Sequence, residues 1–349
     1  MSADVLKVGV VGCGFIAQSA HLPSLLKCKN ARVVAVCDRN GGLAESAAKR
    51  FGIDKHYIDF AEMLGKEKPD AVDVCTSINT HAPLSIQAME SGCHVLVEKP
   101  LALTTGEADE MITVAERNAV KLGVVHDMLF GLAIMRIKSI VRSGAVGQVI
   151  GVCIEHGFPR QYSPIIQDKT HWWHKLPGGI FSDTLPHPVY LTREFLGDFQ
   201  PAVVHTNKIG PLEHLPFDEV QIVVENKNGV GTIVSSCNWP ALMTISIFGT
   251  KMNLRGDIYN ATVLQLKEKE GLASHALENV NQSFQILGGL ASSGIRTMLG
   301  KYGGHRLLID EFLRSVQNGT EPPVTAQDGR DVVRLMKKIT DRMTQATEH

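Results

Sequence analysis

The chain has 349 residues, a formal net charge of −1, 44% hydrophobic and 20% charged residues. This length suits two domains, and so even a charge balance offers neither a basic patch for nucleic acid nor a bias toward a membrane surface. No apolar run approaches the roughly 18 residues of a spanning helix, and a strand that starts at Val5 leaves no signal peptide to be expected. The seven cysteines are an odd number without a CxxC pair, mostly in apolar, strand-like contexts. They read as small core residues of a reduced, cytoplasmic protein.

Val5 to Val11 reads as a strand, followed by Gly12-Cys13-Gly14-Phe15-Ile16-Ala17 and a helical pattern to about Lys27. Strand, GxGxxA and helix in that order form a dinucleotide-binding pattern. Gly12 allows the tight turn, Gly14 lets backbone approach a pyrophosphate, and Ala17 permits close helix–strand packing. The pyrophosphate would lie against the helix N-terminus, where free N–H groups favour anions. A second strand, Arg32 to Cys37, ends at Asp38, 24 residues after Gly14. A carboxylate there accepts hydrogen bonds from ribose hydroxyls and repels a 2′-phosphate, which favours NAD over NADP. Asp38 also suits an N-cap or turn position, and Arg39 beside it could stack on adenine or attract a phosphate.

Further along, Gly41–Phe51 reads as a helix, His56-Tyr57-Ile58 as a short strand, and Asp59 as the cap of another helix. Ala71 to Cys75 is a fourth strand. The next helix runs to Ser91 and stops at Gly92. His94 to Val97 is a short strand of high β-propensity, closed by Glu98-Lys99-Pro100. A polar pair at the carboxyl end of such a strand sits at the rim where α/β sheets bind ligands, and a lysine there can donate hydrogen bonds or exchange a proton. A helix near Thr104–Asn118 and a strand near Leu122–Val125 complete a doubly wound parallel unit over residues 1–125.

The remainder, residues 126–349, has a different texture. Met128–Ser143 is an amphipathic helix and Val149–His156 a strand. An irregular loop over 157–177 carries Arg160, Tyr162, His171, Trp172, Trp173, His174 and Lys175. Gly178-Gly179 and a segment from Ile180 to Pro188 follow. Alternating segments at 202–209, 217–226, 230–239, 242–249 and 260–267 suggest successive antiparallel strands, with Asn226-Lys227-Asn228-Gly229 as hairpin chemistry. Helical patterns close the chain at about 274–292, 305–318 and 328–346.

The ordered set Gly12-Cys13-Gly14-Phe15-Ile16-Ala17, Asp38, Thr76-Ser77-Ile78-Asn79-Thr80-His81 and Glu98-Lys99-Pro100-Leu101 resembles the Gfo/Idh/MocA oxidoreductases, named for glucose–fructose oxidoreductase and inositol dehydrogenase. Gly178-Gly179, Asp183 and His187 resemble that family's second motif, although Thr184-Leu185-Pro186 stand where it usually carries a glycine. Met128 and Leu129 stand where it often has arginines. The resemblance implies an N-terminal Rossmann domain and a C-terminal α+β domain built on an open, mainly antiparallel sheet. It implies NAD contacts from the glycine loop (Gly12, Gly14, Phe15, Ile16), from Asp38 and Arg39, from Thr76, Asn79 and His81, and from Glu98, Lys99 and Pro100. It implies a cis Lys99–Pro100 bond, and a homodimer or homotetramer formed through the C-terminal sheet.

Hydride transfer from an alcohol carbon needs a base for the hydroxyl proton and a donor for the developing alkoxide. The resemblance makes Lys99, Asp183 and His187 the catalytic set. Lys99 and His187 suit the proton chemistry, and Asp183 could orient the imidazole. The positive nicotinamide would favour a neutral Lys99. Asp183 and His187 would share a helix face at i, i+4, but Pro186 and Pro188 break helix interiors, so Asp183 is expected as an N-cap. His171-Trp172-Trp173-His174 lacks a standard metal spacing. Its indoles read better as apolar walls for a sugar ring, with its histidines as donors or as structural anchors, and His156 and Arg160 as lesser substrate contacts. No metal is expected. The leading expectation is an NAD-dependent dehydrogenase of a secondary alcohol on a polyhydroxylated small molecule. An NAD-dependent glycosidase that oxidises only transiently, and a non-enzymatic NAD-binding regulator, are the alternatives.

Overall fold

A computed structural model describes residues 5–159, 164–266, 282–283, 285, 287–288 and 304–346. Its contacts divide the chain into two compact units, residues 1–130 with 303–334 and residues 131–302 with 335–349. A single division at 125/126 therefore misplaces 303–334, which pack with the first unit.

In the first unit six strands, β1 (Leu6–Val11), β2 (Ala31–Cys37), β3 (His56–Tyr57), β4 (Ala71–Val74), β5 (His94–Val97) and β6 (Leu122–Val124), form a parallel sheet in the order β3-β2-β1-β4-β5-β6. Parallel neighbours need crossovers. These are a π-helical turn (Ala17–His21) running into α1 (Leu22–Leu25), then α2 (Gly41–Phe51), α3 (Phe60–Glu67), α4 (His81–Glu90) and α5 (Thr105–Arg117). Strands covered on both faces must be apolar throughout: Val10, Val72, Val95 and Val97 are each at most 1% exposed. Each such side chain contributes about 1.5–3 kcal/mol by burial. Asp59 caps α3, and Thr104 with Glu107 forms a reciprocal capping box on α5. A later helix, α10 in chain order (Gly304–Asn318), buries Leu308, Ile309, Phe312 and Leu313 in this unit. The strand order reverses between β1 and β4, and a crevice opens there beyond the strands' carboxyl ends.

The second unit carries α6 (Leu132–Arg142), β7 (Val149–Gly157), one-turn α7 (Pro164–Gln167), a 3₁₀ turn (Trp172–Lys175), α8 (Phe181–Thr184) and α9 (Pro186–Leu196). After them come β8 (Gln200–Asn207), β9 (Glu219–Asn226), β10 (Gly229–Ser236), β11 (Leu242–Gly249), β12 (Asn253–Asp257) and β13 (Thr262–Leu266), and finally α11 (Ala326–Ala346), whose residues from Leu335 onward belong here. The seven strands are ordered β13-β12-β11-β7-β10-β9-β8, antiparallel except for β7 beside β10. The sheet is thus mainly antiparallel, as expected, and its one parallel pair arises because β7 inserts between β10 and β11. The hairpin at Asn226–Gly229 forms as expected, with the Asn226 side chain accepting from Asn228 and Gly229.

β12 was not anticipated. Asn253-Leu254-Arg255-Gly256-Asp257 has one strongly apolar residue and poor β-propensity, and pairing with β11 and β13 on both sides makes it a strand. One sheet face buries Val152, Ile154, Ile233, Ile245, Ile247 and Leu254, with α9 against β7 and β10 and α6 against β12 and β13. The opposite face leaves Cys153, Val223 and Val234 half-buried and Val230 and Phe248 exposed. The helix read at 274–292 lies mostly outside the described residues, as does Arg160.

Candidate active site

The crevice in the first unit is a cleft of about 480 Å³, lined at one end by Asp38, Arg39 and Asn40 and at the other by Cys75, Thr76, Ser77 and Thr80, with Gly12 and Gly14 between. Gly12 turns β1 sharply into the helix at φ +89, and a Cβ there would lie 2.7 Å from the Cys75 carbonyl carbon. Only glycine fits that turn. A Cβ on Gly14 would meet no protein atom within 4 Å, so the space beside it is open to a ligand. Together with the helix N-terminus behind the loop, that space suits a pyrophosphate. Asp38 accepts from the Cys13 N–H through Oδ2 (2.8 Å) and from the Asn40 N–H through Oδ1 (2.8 Å). It fixes the glycine loop while lining the cleft. Phe15 is 81% exposed and Ile16 half-buried on the first turn; Asn79 is exposed beside Thr80.

Glu98, Lys99 and Pro100 follow β5, and the Lys99–Pro100 bond is cis, as expected. Lys99 is half-buried, whereas Glu98 and Pro100 are buried. His81 does not face the cleft. It is 1% exposed, with Nδ1 2.8 Å from the Pro100 carbonyl and Nε2 2.9 Å from the Thr76 carbonyl, and so ties the two loops together from behind. Burial pulls its pKa below the ordinary value, against the pull of those carbonyls.

Behind Glu98 lies a buried ionic chain that the sequence pattern did not reveal. His21, 0% exposed, sets Nδ1 2.8 Å from Asp73 Oδ2 and Nε2 2.7 Å from Glu98 Oε1. Glu98 Oε2 accepts the Lys99 backbone N–H at 2.9 Å. His305 extends the chain, with Nε2 3.5 Å from Glu98 and Nδ1 3.4 Å from Asp127. A Cβ on Gly304 would collide with the Asp127 carbonyl oxygen, so glycine is what lets α10 begin this close. Asp73 carried the sequence signal: it is a charge inside an apolar strand, which needs a partner when buried. Burial opposes the charge on His21, but Asp73 and Cys75 outweigh it and hold the ring well above its ordinary 6.5. Glu98 is likewise held well below its ordinary range by His21 and His305 in spite of burial. Asp127 is raised, chiefly by burial.

A group whose folded value is raised stabilises fully below its unfolded value, and that contribution fades as pH climbs to the folded one. The stability difference between the native protein and His21→Gln should therefore be full near about pH 6 and narrow on the alkaline side. Denaturant titrations across pH check this; a gap that widened with pH would contradict the imidazolium. Among the described residues, the two donor sets able to surround an ion are His21, Asp73 and Cys75, and His21, Glu98 and His305. Both share His21, whose two nitrogens already meet carboxylates in hydrogen-bond geometry, so we read an ion-paired chain rather than metal ligands. Neither set includes His171 or His174.

Asp183 and His187 belong to the second unit, Lys99 to the first. Asp183 is not an N-cap. The backbone stays helical through Ile180 (φ −58, ψ −25) and Leu185 (φ −69, ψ −22), and α8 runs directly into α9. Pro186 and Pro188 fall in the first turn of α9, where proline's fixed φ suits a helix, and their missing N–H groups interrupt only the bonds that would join α9 back to α8. Asp183 and His187 thus remain one turn apart. His187 Nδ1 lies 2.8 Å from the Tyr190 hydroxyl, an orienting partner not foreseen. His171 caps the 3₁₀ turn, and the rings of His171, Trp172 and Trp173 pack against one another with centroids 5.4–6.3 Å apart. Burial, then His174, lowers the His171 pKa, while Asp168 and Asp183 raise it. His156 is 4% exposed and bonded to the Ser235 hydroxyl (3.1 Å), which places it within the sheet core.

A sequence profile described as an oxidoreductase family with an NAD-binding Rossmann fold, GFO_IDH_MocA, matches residues 6–126, and the GFO/IDH/MocA C-terminal domain matches 134–255. Myo-inositol 2-dehydrogenase of Thermotoga maritima is 24% identical over 335 residues, 93% of this chain and 92% of that one. D-glucoside 3-dehydrogenase of Escherichia coli is 31% identical over 149 residues, 43% of this chain and 42% of its own. Among solved structures, the WlbA dehydrogenase of Bordetella pertussis, in complex with NADH and UDP-GlcNAcA, superposes with a TM-score of 0.81 at 19% identity, covering 99% of this chain and 97% of that one.

Proposed function

This chain belongs to the Gfo/Idh/MocA oxidoreductase family, and on that premise we propose that it oxidises a secondary hydroxyl of a sugar, cyclitol or sugar derivative with NAD. The observation that carries the proposal is the cleft at the strand-order reversal, with open space at Gly14 and Asp38 at one end, while Lys99 follows β5, the strand next to β4. Bound NAD would supply the hydride acceptor. The chain's own residues hold it and manage the proton. Purified protein with NAD and a panel including myo-inositol, a methyl glucoside, free aldoses and polyols should produce NADH with at least one member. NAD binding without NADH from any panel compound would contradict the proposal.

Asp38 favours NAD, because a carboxylate accepts from both ribose hydroxyls and repels a phosphate. NAD should bind more tightly than NADP, and Asp38→Ala should narrow the gap. Calorimetric titration with both dinucleotides checks this, and tighter NADP binding by the native protein would reject the reading. The same variant should lose some stability, since the Cys13 and Asn40 N–H groups lose their acceptor.

Lys99, Asp183 and His187 form the catalytic set of this proposal. Lys99 at the rim donates to the reacting oxygen or takes its proton. His187 is the partner in that transfer: the tautomer that donates Nδ1–H to Tyr190 keeps the Nε2 lone pair as a base. Asp183, one turn earlier, stabilises an imidazolium if one forms. Trp172 and Trp173 offer apolar walls to the ring of a polyhydroxylated substrate, with His171 and His174 as donors.

The protein works as a dimer or tetramer through the face of its second sheet that carries Val230 and Phe248. Exposed Val230 and Phe248 beside half-buried Val223 and Val234 favour a symmetric partner. Sedimentation should show a dimer or larger, and Val230→Glu/Phe248→Glu should shift it toward monomer; a native monomer at micromolar concentration would refute this. Among the described residues no helix is long and apolar enough to cross a membrane. We place the protein in the cytoplasm, where its mostly buried thiols stay reduced.

A further inference from the structure

We propose that His21 is a positioning residue for Lys99: its buried ring, held between Asp73 and Glu98, fixes the Glu98 carboxylate and through it the peptide nitrogen of Lys99. The inference rests on the catalytic reading of Lys99. Its geometry is a two-sided clamp. Glu98 Oε1 receives the His21 Nε2–H at 2.7 Å and Oε2 receives the Lys99 N–H at 2.9 Å, so one carboxylate couples a sealed interior ring to the residue at the rim. The π-helical turn at Ala17–His21 places that ring. An extra residue in the turn changes the side-chain register, and such turns are frequent at functional sites. The helix whose first turn faces the cleft thus carries, shortly after, the residue that holds Lys99.

Two consequences follow from removing the ring. Glu98 would become an anion left, among the described residues, with a backbone N–H and the more distant His305, and it would turn toward water with its charge kept. That movement releases the Lys99 amide. The charge balance near Lys99 also changes. The groups facing His21 are Asp73 and Cys75 at the end of β4, Glu98 at the end of β5, and His305 of α10, whose ring meets it edge-on at 5.2 Å with Asp127 beyond. His21 balances Glu98, and an unbalanced Glu98 beside Lys99 would favour the ammonium and shift its deprotonation to higher pH. The cleft lining does not include His21, so NAD affinity should not depend on it directly.

The test compares native protein with His21→Leu, with His21→Gln/Asp73→Asn and with Lys99→Met, using NAD and the panel compound that turns over fastest. His21→Leu should lose about 10–100-fold in kcat, the scale of a slight misplacement of a reacting group, with an NAD dissociation constant within about twofold of native. The kcat–pH midpoint that reports Lys99 should move up. In the double variant the glutamine amide donates to Glu98 while its oxygen accepts from the new side-chain amide at position 73, with no imidazolium. It should recover most of the turnover above a midpoint that stays raised. Nitrogen-15 spectra of the native protein should show both His21 ring nitrogens still protonated above the pH at which an ordinary imidazole has lost its proton. Native kcat and midpoint in His21→Leu would overturn the inference, as would NAD affinity falling in step with kcat. If His21→Leu does not fold, a native midpoint in the double variant overturns it. Full turnover by Lys99→Met would instead remove the reading of Lys99 itself, whereas an inactive Lys99→Met beside unaffected His21 variants would reject only the role of His21.

Discussion

Lys99→Met and His187→Ala should each lower turnover by about 10²–10⁴-fold, the usual worth of positioned acid–base assistance, while NAD affinity stays nearly unchanged. The reason is differential binding. Charge develops on the substrate oxygen only in the transition state, so groups that serve that oxygen appear in kcat and little in ground-state dinucleotide binding. Asp183→Asn should lose less if the carboxylate only stabilises and orients the imidazole. Tyr190→Phe removes the hydroxyl 2.8 Å from Nδ1 and should also lose less than His187→Ala. The double change Lys99→Met/His187→Ala should fall short of the product of the single losses, because both residues serve one proton transfer. A histidine that merely packs predicts a different pattern: early melting, with activity and NAD binding lost together. Melting temperature, NAD dissociation constant and turnover on the same samples separate the two, and full turnover by Lys99→Met would end the mechanism.

Gly12→Ala should abolish measurable NAD binding and destabilise the first unit, while Gly14→Ala should weaken NAD binding in a protein of nearly native stability. At Gly12 the methyl would enter a backbone at φ +89 and lie 2.7–2.8 Å from the Cys75 carbonyl and the Thr76 side chain. Left-handed backbone costs a non-glycine residue roughly 1–2 kcal/mol, and overpacking adds about 1–3 kcal/mol. Relief requires β1 and β4 to part at the mouth of the cleft. At Gly14 no protein atom is near the methyl, so its effect falls on the ligand alone. A loss of about 1.4 kcal/mol in binding is tenfold in the dissociation constant, and a loss of that size or more is expected where backbone should touch pyrophosphate. Denaturant unfolding beside NAD titration distinguishes the pair. Equal stability losses in both variants would show that the glycines serve the turn alone.

The first unit was legible because its signals are local. Apolar runs bounded by glycine and proline, a GxGxxA between strand and helix, and Asp38 at the end of the next strand each follow from backbone sterics over a few residues. The cap residue Asp59 was legible for the same reason. The Asp183–His187 segment was harder. The prolines suggested a break, but their fixed φ suits the first turn of α9, and the backbone stays helical through Leu185.

By itself, then, the sequence determined the Rossmann half, the approximate strands and hairpin of the second half, and the glycine turn and Asp38 that meet at the cleft, since each depends on near neighbours along the chain. Tertiary structure alone decided the rest. β12 is a strand because two neighbours pair with it, not because Asn253–Asp257 favours one. β7 meets β10 in parallel because it inserts between strands that follow it in the chain. Residues 303–334 join the first unit because α10 buries its apolar face there. The chain from Asp73 through His21 and Glu98 to His305 spans more than two hundred residues of sequence, and no periodicity carries it. Buried charges persist only when the fold brings opposite charges to them, and that requirement can be met by residues at any separation along the chain.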